Sequence, residues 1–421
     1  MGSESFINYA NSFQTVINLG LGRISALLEL MGNPQRGQRF VHVAGTNGKG
    51  SVCAMLDAIL TAEGLKVGRY TSPNLIRVNE RIVVAGEEIS DAELNPLLER
   101  VGDLCPEAER LTGECPTQFE VWTAAAMEYF KNKKCDIVLL EVGLGGEFDA
   151  TNVIEENALA VITRVALDHC AYLGNTTAEI ARTKCGIMKP GGRTVALSQS
   201  EEVNAVIADC AKKANNSLIF ASAPESEGHD GLSEIFSYKN MTSLKSALGG
   251  PHQIENAAIA IEAALALGAS ENSIRRGLAA ARHRGRLEPL ADDIIFDGAH
   301  NPNGVEALCA ALQRCFPGRE KTVIFACMKD KDIVPSLKML SASARRFIFT
   351  RVEGNPRSMT EDELRKLAAE NGIDGETAPD LAAALELSEK YSGSLRVICG
   401  SLYLYESIPK IIDNPRFKCY N

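Results

Sequence analysis

The segment VHVAGTNGKGSV (41–52) concentrates groups able to hold a phosphate. Gly45, Gly48 and Gly50 allow backbone conformations that turn successive amides toward one point. Lys49 adds a positive charge, and Ser51 offers a hydroxyl to a phosphate oxygen or a magnesium ion. An apolar run precedes the segment and a helical pattern follows it, so a helix N-terminus contributes its own partial positive charge. The spacing departs from the usual G-x-x-x-x-G-K-S/T pattern: Val43 stands where the first glycine is expected, and Gly50 separates Lys49 from Ser51. A glycine-rich strand-to-helix turn without a ligand is the alternative, but lysine and serine in this context favour nucleotide binding.

Further candidates follow other apolar runs. Glu141 closes the run in CDIVLLEVG (135–143) and precedes VGLGGEFDATN. Open α/β sheets bind ligands beyond the carboxyl ends of their strands, and a carboxylate there suits Mg²⁺, which prefers oxygen ligands and substrate phosphates. A solvated or salt-bridged loop glutamate is the plain alternative. Asp168 and His169 end the run ALAVITRVALDH, where an imidazole can ligate a metal or, protonated, offset phosphate charge. Lys184 closes TTAEIARTKCG behind a Thr176–Glu179 capping-box pattern, and by itself reads as a cation offsetting a helix C-terminal dipole. Later in the chain, FDGAHNPNG (296–304) sets Asp297 and His300 after a strand, and GGPHQIENAAIA (249–260) sets His252, Gln253 and Asn256 at the start of an Ala-rich helix. Arg286 lies in the polar, basic stretch ARHRGRLEPLADD (281–293). Each of these alone reads more simply as a turn or cap residue.

Bringing such groups together requires strands that end side by side. RFVHVAG (39–45), KVGRYTS (66–72), CDIVLLEVG and ALAVITRVA (158–166) read as strands, and SVCAMLDAILTAEG (51–64) and EVWTAAAMEYFKNKK (120–134) as helices. Apolar strands separated by helices predict a parallel sheet covered on both faces. A second α/β series begins near residue 293, with IIFDGAH, TVIFACM, RFIFTRV and LRVICGSL as strands and NGVEALCAALQRCF and TEDELRKLAAENG as helices. The expected division is 1–290 and 291–421, and the stretch 223–234 is a surface loop or a β-insertion.

At 421 residues the chain needs two or three cores. With 45% hydrophobic and 23% charged residues it has the balance of a soluble globular protein. The formal charge of −10, from 44 basic and 54 acidic residues with no run of either sign, argues against tracking nucleic acid but leaves small anions accessible to local sites. The cysteines form no C-x-x-C pair, and the start MGSESFINYANSF lacks a charged region followed by an apolar core, so free thiols in a reducing cytosol are expected. No apolar stretch has transmembrane length. These features predict a cytoplasmic protein with no membrane partner.

Taken in order, the segments resemble the folylpolyglutamate synthase/dihydrofolate synthase family, relatives of the Mur ligases. The matching stretches are LGLGRISALLELMGNPQ, HVAGTNGKGSV, TSPNL (71–75), RVNERI (77–82), EVGLGGEFDATNV (141–153), LDHCAYLG (167–174), RTKCGIMKPG (182–191), HQIENAA (252–258), RGRLE (284–288), FDGAHNPNG, DKD (330–332) and CGSLYL (399–404). The resemblance implies a three-layer P-loop ATPase domain with a parallel-type sheet, then a smaller Rossmann-like α/β domain, with the active site in the cleft between them. It implies a monomeric, ATP- and Mg²⁺-dependent ligase that joins L-glutamate to a folate or dihydropteroate carboxylate through an acyl phosphate.

Carried over by position, Gly45, Thr46, Asn47, Gly48, Lys49, Gly50 and Ser51 bind ATP, and Asn256, Arg286 and Asp297 resemble further nucleotide contacts. Ser72, Glu141 and His169 resemble the magnesium ligands. Lys184 resembles the family lysine that becomes carbamylated, and His300 lies near the reacting phosphate beside Lys49. Asp149 falls in a loop that contacts pterin substrates in relatives, and Ser401 on the glutamate side. The chain departs from the family at Asn74, often His, at Glu147, often Arg, and at Ala326, commonly Gly; the first two fall near the folate-side loops. Two other readings compete. A Mur-type ligase for another carboxylate is disfavoured by how little chain precedes Val41, and a non-catalytic nucleotide-binding module by the presence of Lys49, Glu141 and His169.

Overall fold

The computed structural model describes residues 18–391 and 393–409. The stretch MGSESFINYANSF and Cys419 lie outside the described residues. Contacts divide the chain into two compact units. The first takes the chain up to Glu225, with Ser237–Leu244 and Glu255–Ala281; the second takes Ser226–Phe236, Lys245–Ile254 and everything from Arg282 on.

The first unit opens with α1 (Gly22–Leu30), β1 (Phe40–Ala44), α2 (Lys49–Ala62), β2 (Val67–Tyr70), β3 (Ile82–Val84) and β4 (Glu87–Glu88). It continues through α3 (Asp91–Thr112), α4 (Gln118–Lys133), β5 (Ile137–Glu141), β6 (Leu159–Ile162), α5 (Thr177–Cys185), β7 (Arg193–Leu197), α6 (Glu201–Lys213) and β8 (Ser217–Ala221). Its sheet has the order β4-β3-β2-β5-β1-β6-β7-β8. The pairs from β2 to β8 are parallel, while β3 and β4 add an antiparallel edge.

Central strands β1 and β5 are buried along their whole length, as apolar runs covered on both faces must be. Phe40, Tyr70, Val138 and Leu140 pack with Trp122 and Phe130 beneath α1, α3 and α4. The alternating residues turn to the opposite face, where α2 packs on β1, β2 and β5. Helices on both faces give three layers. Beyond β6, the core passes to Ile162, Ile180, Met188 and Ile207 under α5 and α6.

Residues 223–234, expected as a loop or β-insertion, fall in a small sheet of β9 (Glu225–Asp230), β10 (Ser233–Tyr238) and β11 (Met241–Ser246), ordered β11-β10-β9. Two helices follow, α7 (Pro251–Ala266) and α8 (Glu271–Ala280). The second unit then runs β12 (Glu288–Ala291), β13 (Ile294–Phe296), α9 (Pro302–Cys315), β14 (Lys321–Phe325), α10 (Ile333–Ser343), β15 (Arg346–Phe349), α11 (Glu361–Ala369), β16 (Glu376–Thr377), α12 (Leu381–Ser388) and β17 (Leu395–Cys399). Its sheet order is β12-β13-β17-β14-β15-β16, parallel except at the β12–β13 edge. Val323, Phe325, Phe347, Phe349 and Val397 form its core with Leu308, Leu337 and Leu364. Among the described residues no helix is long and apolar enough to cross a membrane.

Candidate active site

The parallel run β2-β5-β1-β6 brings four strand ends to one edge of the first sheet, where an open α/β sheet binds its ligand. At that edge β1 leads into Gly45, β5 ends on Glu141, β2 is followed by Ser72, and β6 by Thr163. The loop between β1 and α2 is anchored by its neighbour: the Thr46 and Asn47 amides donate to Arg164 O (2.7 and 3.3 Å). Thr46 Oγ1 donates to Ala166 O (2.9 Å), and Thr163 Oγ1 donates to Asn47 O (2.8 Å). These bonds explain why β6 stops at Ile162 although the apolar run, and with it the expected strand, continues to Ala166. Backbone groups beyond Ile162 turn to the phosphate loop instead of a strand partner. Thr163 and Arg164 are therefore loop-building residues that the sequence did not single out; the one signal was a threonine closing an otherwise apolar run.

Glycine is required at two points of this loop. A Cβ on Gly45 would lie 1.8 Å from Thr163 Oγ1. Gly48 caps α2 at φ +89°, and a Cβ there would lie 2.4 Å from Asn256 Oδ1 on α7. Asn256 is thereby brought against the loop and is only 5% exposed. Ser51, in the first turn of α2, is likewise buried.

Two lysines converge on one carbonyl. Lys49 Nζ donates to Gly45 O (3.1 Å) and Thr46 O (3.2 Å), and Lys184 Nζ donates to the same Gly45 O (2.9 Å). Lys184 is not the solvent-facing cation its helix-end position suggested; it is 3% exposed. Burial, then the charge of Lys49, push its pKa down to about 7, against Asp168 and Asp149, which pull it up. The expected capping box holds the start of α5: Thr176 Oγ1 accepts the Glu179 amide (3.2 Å), and Glu179 Oε2 accepts the Thr176 amide (3.1 Å).

Of the expected magnesium ligands, Ser72 and Glu141 are brought together, the Ser72 amide donating to Glu141 Oε2 (3.1 Å). His169 follows β6 with a left-handed φ of 51°, its Nε2 3.9 Å from Asp168 Oδ1. Among the described residues no three His, Cys, Asp or Glu side chains form a metal cluster by themselves. Asp149, expected to touch substrate, is only 3% exposed and spends its carboxylate within its own loop: Oδ2 accepts the Leu144 amide (2.8 Å) and Oδ1 the Thr151 amide (3.0 Å) and hydroxyl (2.5 Å). A neighbour the sequence reading passed over, Phe148, is 49% exposed.

In the second unit, β13 and β17 run parallel and carry Asp297, His300 and Ser401 just past their carboxyl ends. Asp297 Oδ2 accepts the Leu287 amide and Oδ1 the Ala299 amide, both at 2.8 Å. Burial raises its pKa, and the Arg286 guanidinium opposes the shift. A Cβ on Gly298 would lie 3.3 Å from Arg286 Nη1. His300 Nδ1 is 2.8 Å from Gly298 O, and Ser401 Oγ accepts the Tyr403 amide (3.2 Å), capping the short helical turn 402–407. Arg286, Asp297, His300 and Ser401 thus share one edge of the second sheet.

Residues 43–264 match the Mur ligase middle domain, and residues 285–402 match the Mur ligase glutamate ligase domain. The chain is 36% identical to a dihydrofolate synthase/folylpolyglutamate synthase of Bacillus subtilis, over 93% of this chain and 94% of that protein. Folylpolyglutamate synthase of Mycobacterium tuberculosis complexed with ADP and AMPPCP superposes with a TM-score of 0.90 at 28% identity, covering 98% of this chain and 99% of that one. E. coli FolC in complex with DHPP and ADP gives 0.88 at 30% identity, covering 99% of each chain. With both Mur ligase domains in order and such coverage, the chain belongs to the folylpolyglutamate synthase/dihydrofolate synthase family of ATP-dependent glutamate ligases.

Proposed function

We propose that the chain uses ATP to activate the carboxylate of dihydropteroate or a reduced folate and joins it to the amine of L-glutamate. A carboxylate is a poor electrophile, so its oxygen first attacks the γ-phosphorus of ATP; ADP leaves and an acyl phosphate forms. The glutamate amine adds to the acyl carbon, the C–O bond to phosphate breaks, phosphate departs with the electron pair, and the nitrogen loses its proton to solvent. Catalysis of such transfers is mainly positioning and charge compensation. The observation that carries this reading is the meeting of Lys49 and Lys184 on the Gly45 carbonyl. Both activities in the name of the Bacillus subtilis relative, and the DHPP bound to E. coli FolC, support a pterin acceptor.

In this reading Lys49 offsets charge on the transferring phosphoryl group, with the Gly45–Ser51 loop and Asn256 cradling the nucleotide. Arg286 and Asp297 are assigned to the nucleotide, His300 to the reacting phosphate and Ser401 to glutamate. Ser72, Glu141 and His169 are the residues to hold Mg²⁺. A hydroxyl and a buried carboxylate are hard oxygen donors, and a small protein ligand set leaves room for phosphate oxygens and water, as this ion prefers. When bound, Mg²⁺ supplies charge compensation and orientation to the phosphates. Lys184 has a neutral-amine fraction near pH 7, the form that adds CO₂, and its carbamate would be an anion beside the Lys49 cation. Free cysteines throughout the described residues support a reducing cytoplasmic setting, and a monomer is the assigned state.

Phosphate release by the purified protein with MgATP and L-glutamate, with dihydropteroate or tetrahydrofolate added separately, tests the assignment. Release that depends on one pterin, with one glutamyl mass added to it, is the expected result. ATP binding without turnover on either pterin would sink the folate substrate and turn the search to Mur-type acceptors.

A further inference from the structure

Beneath the phosphate loop lies a histidine that no step above uses. His42, in the middle of β1, has no exposed surface. Burial, then the charge of Lys189, push its pKa down to about 3, so the ring is neutral. Its Nε2 is 2.8 Å from Thr151 Oγ1. Thr151 has one hydroxyl proton, and it donates that proton to Asp149 Oδ1. Burial raises the Asp149 pKa, and the Thr151 hydroxyl with the Leu144 and Thr151 amides, all donating to its carboxylate, oppose that shift.

With its proton committed to Asp149, the Thr151 oxygen can only accept from the ring, so His42 carries its hydrogen on Nε2. Nδ1 is then a lone pair, and it is buried without a hydrogen-bond partner. A buried acceptor left unmade is tolerated more often than an orphaned N–H, which agrees with this tautomer.

The chain ends on a loop with two functional neighbours. Residues 143–149 follow β5, one residue beyond Glu141. The Glu147 amide donates to Thr183 O (3.0 Å), and a Cβ on Gly146 would lie 2.8 Å from both Thr183 O and Lys184 O. The loop therefore lies flush against the turn of α5 that carries Lys184, and it presents the half-exposed Phe148. Nothing else in β1 reaches this loop with a hydrogen-bonding side chain; the other residues of the strand are Phe40, Val41, Val43 and Ala44.

We propose that His42, as a fixed Nε2–H donor acting through Thr151 and Asp149, is a positioning residue that sets the 143–149 loop between Glu141 and Lys184 for the pterin acceptor. The proposal rests on the ligase reading, but its first test does not need turnover. Long-range ¹H–¹⁵N correlation on the full chain labelled with ¹⁵N-histidine, with His42 assigned by the signals lost in His42→Gln, is expected to show a protonated Nε2 and a bare Nδ1. That pattern should not change between about pH 5.5 and 8.5. A hydrogen on Nδ1, or a ring that titrates in this range, overturns the proposal.

Kinetics supply the second test. His42→Leu is expected to lower kcat/KM for the pterin about tenfold to a hundredfold, the range for losing a hydrogen bond in a charge-assisted chain, with KM for ATP within about twofold. His42→Gln, whose side-chain amide can donate to the same oxygen, restores most of the loss. Thr151→Val produces a comparable defect, and the double variant is no worse than either single one. Equal losses in the Leu and Gln variants, additive defects, or a loss shared by ATP and pterin overturn the proposal. If His42→Leu does not fold, Thr151→Val and the nitrogen spectra decide. A wild-type chain inactive on both pterins removes the ligase reading, while the spectra still report the tautomer.

Discussion

Burying the Lys184 ammonium beside Lys49 lowers its pKa from 10.5 to about 7, and a pH dependence follows. Between those values the unfolded chain holds a proton that the folded chain has released, so unfolding free energy rises with pH, by at most about 1.4 kcal/mol per unit. Below about pH 7 both states are protonated and the whole penalty of the buried charge is present. In CO₂-free buffer, Lys184→Met is expected to abolish this slope between pH 7 and 9, measured by urea unfolding; an unchanged slope would assign it to another group. With ¹³C-bicarbonate present, a carbamate carbon signal should grow as pH rises through about 7 and be missing in Lys184→Met. Lys49 is expected to act on rate: Lys49→Met should reduce kcat by about 10² to 10³, the usual loss for one electrostatic donor, read by single-turnover phosphate release. The sequence marked Lys49 because glycines and a helix start surround it. Lys184 was marked by the family resemblance and not by its own surroundings in the sequence, which read as a helix end, because the burial that changes its chemistry comes from Gly45 and from the 143–149 loop, both distant in sequence.

Elements position these residues through close approaches that tolerate little added volume. Helix α8 crosses α2 at Gly277, where a Cβ would lie 2.4 Å from Ile59 Cα and 2.5 Å from its amide nitrogen. Gly277→Ala must push α8 away from α2, which should destabilise the chain by about 1–3 kcal/mol. Because α2 begins at the phosphate loop, the same change is expected to weaken AMPPCP binding. Urea unfolding and titration calorimetry check the two effects, and a loss of stability with unaltered nucleotide affinity would show that the loop is insulated from the helix packing. Buried strands such as Ile137–Glu141 were legible as unbroken apolar runs because both faces are covered. The end of β6 was not: hydropathy carries on to Ala166, whereas the backbone bonds are diverted to Thr46 and Asn47. Capping boxes were legible at Thr176, since both partners lie within one turn. His42 was invisible as a participant because its partners Thr151 and Asp149 lie across the sheet on a later loop.

At the scale of the whole molecule, the units do not follow chain order, and this bears on how the protein unfolds. The sequence suggested a cut near residue 290, but Ser226–Phe236 and Lys245–Ile254 belong with the chain beyond Arg282. Contacts such as Arg314 Nε to Glu234 Oε2 (3.0 Å), which no local pattern announces, tie them there. Each unit has core of its own, which makes one cooperative transition a poor expectation. The single tryptophan, Trp122, is fully buried in the first core with Tyr70 and Phe130, so its fluorescence reports that unit alone while circular dichroism reports both. Urea curves from the two probes should therefore fail to coincide. MgATP at about one hundred times its Kd should stabilise the unit that binds it by about 2.7 kcal/mol. If the phosphate loop of the first unit supplies most of the affinity, the fluorescence midpoint moves and the circular dichroism curve broadens or splits. Coincident curves that move together with nucleotide would instead establish that the two units unfold as one.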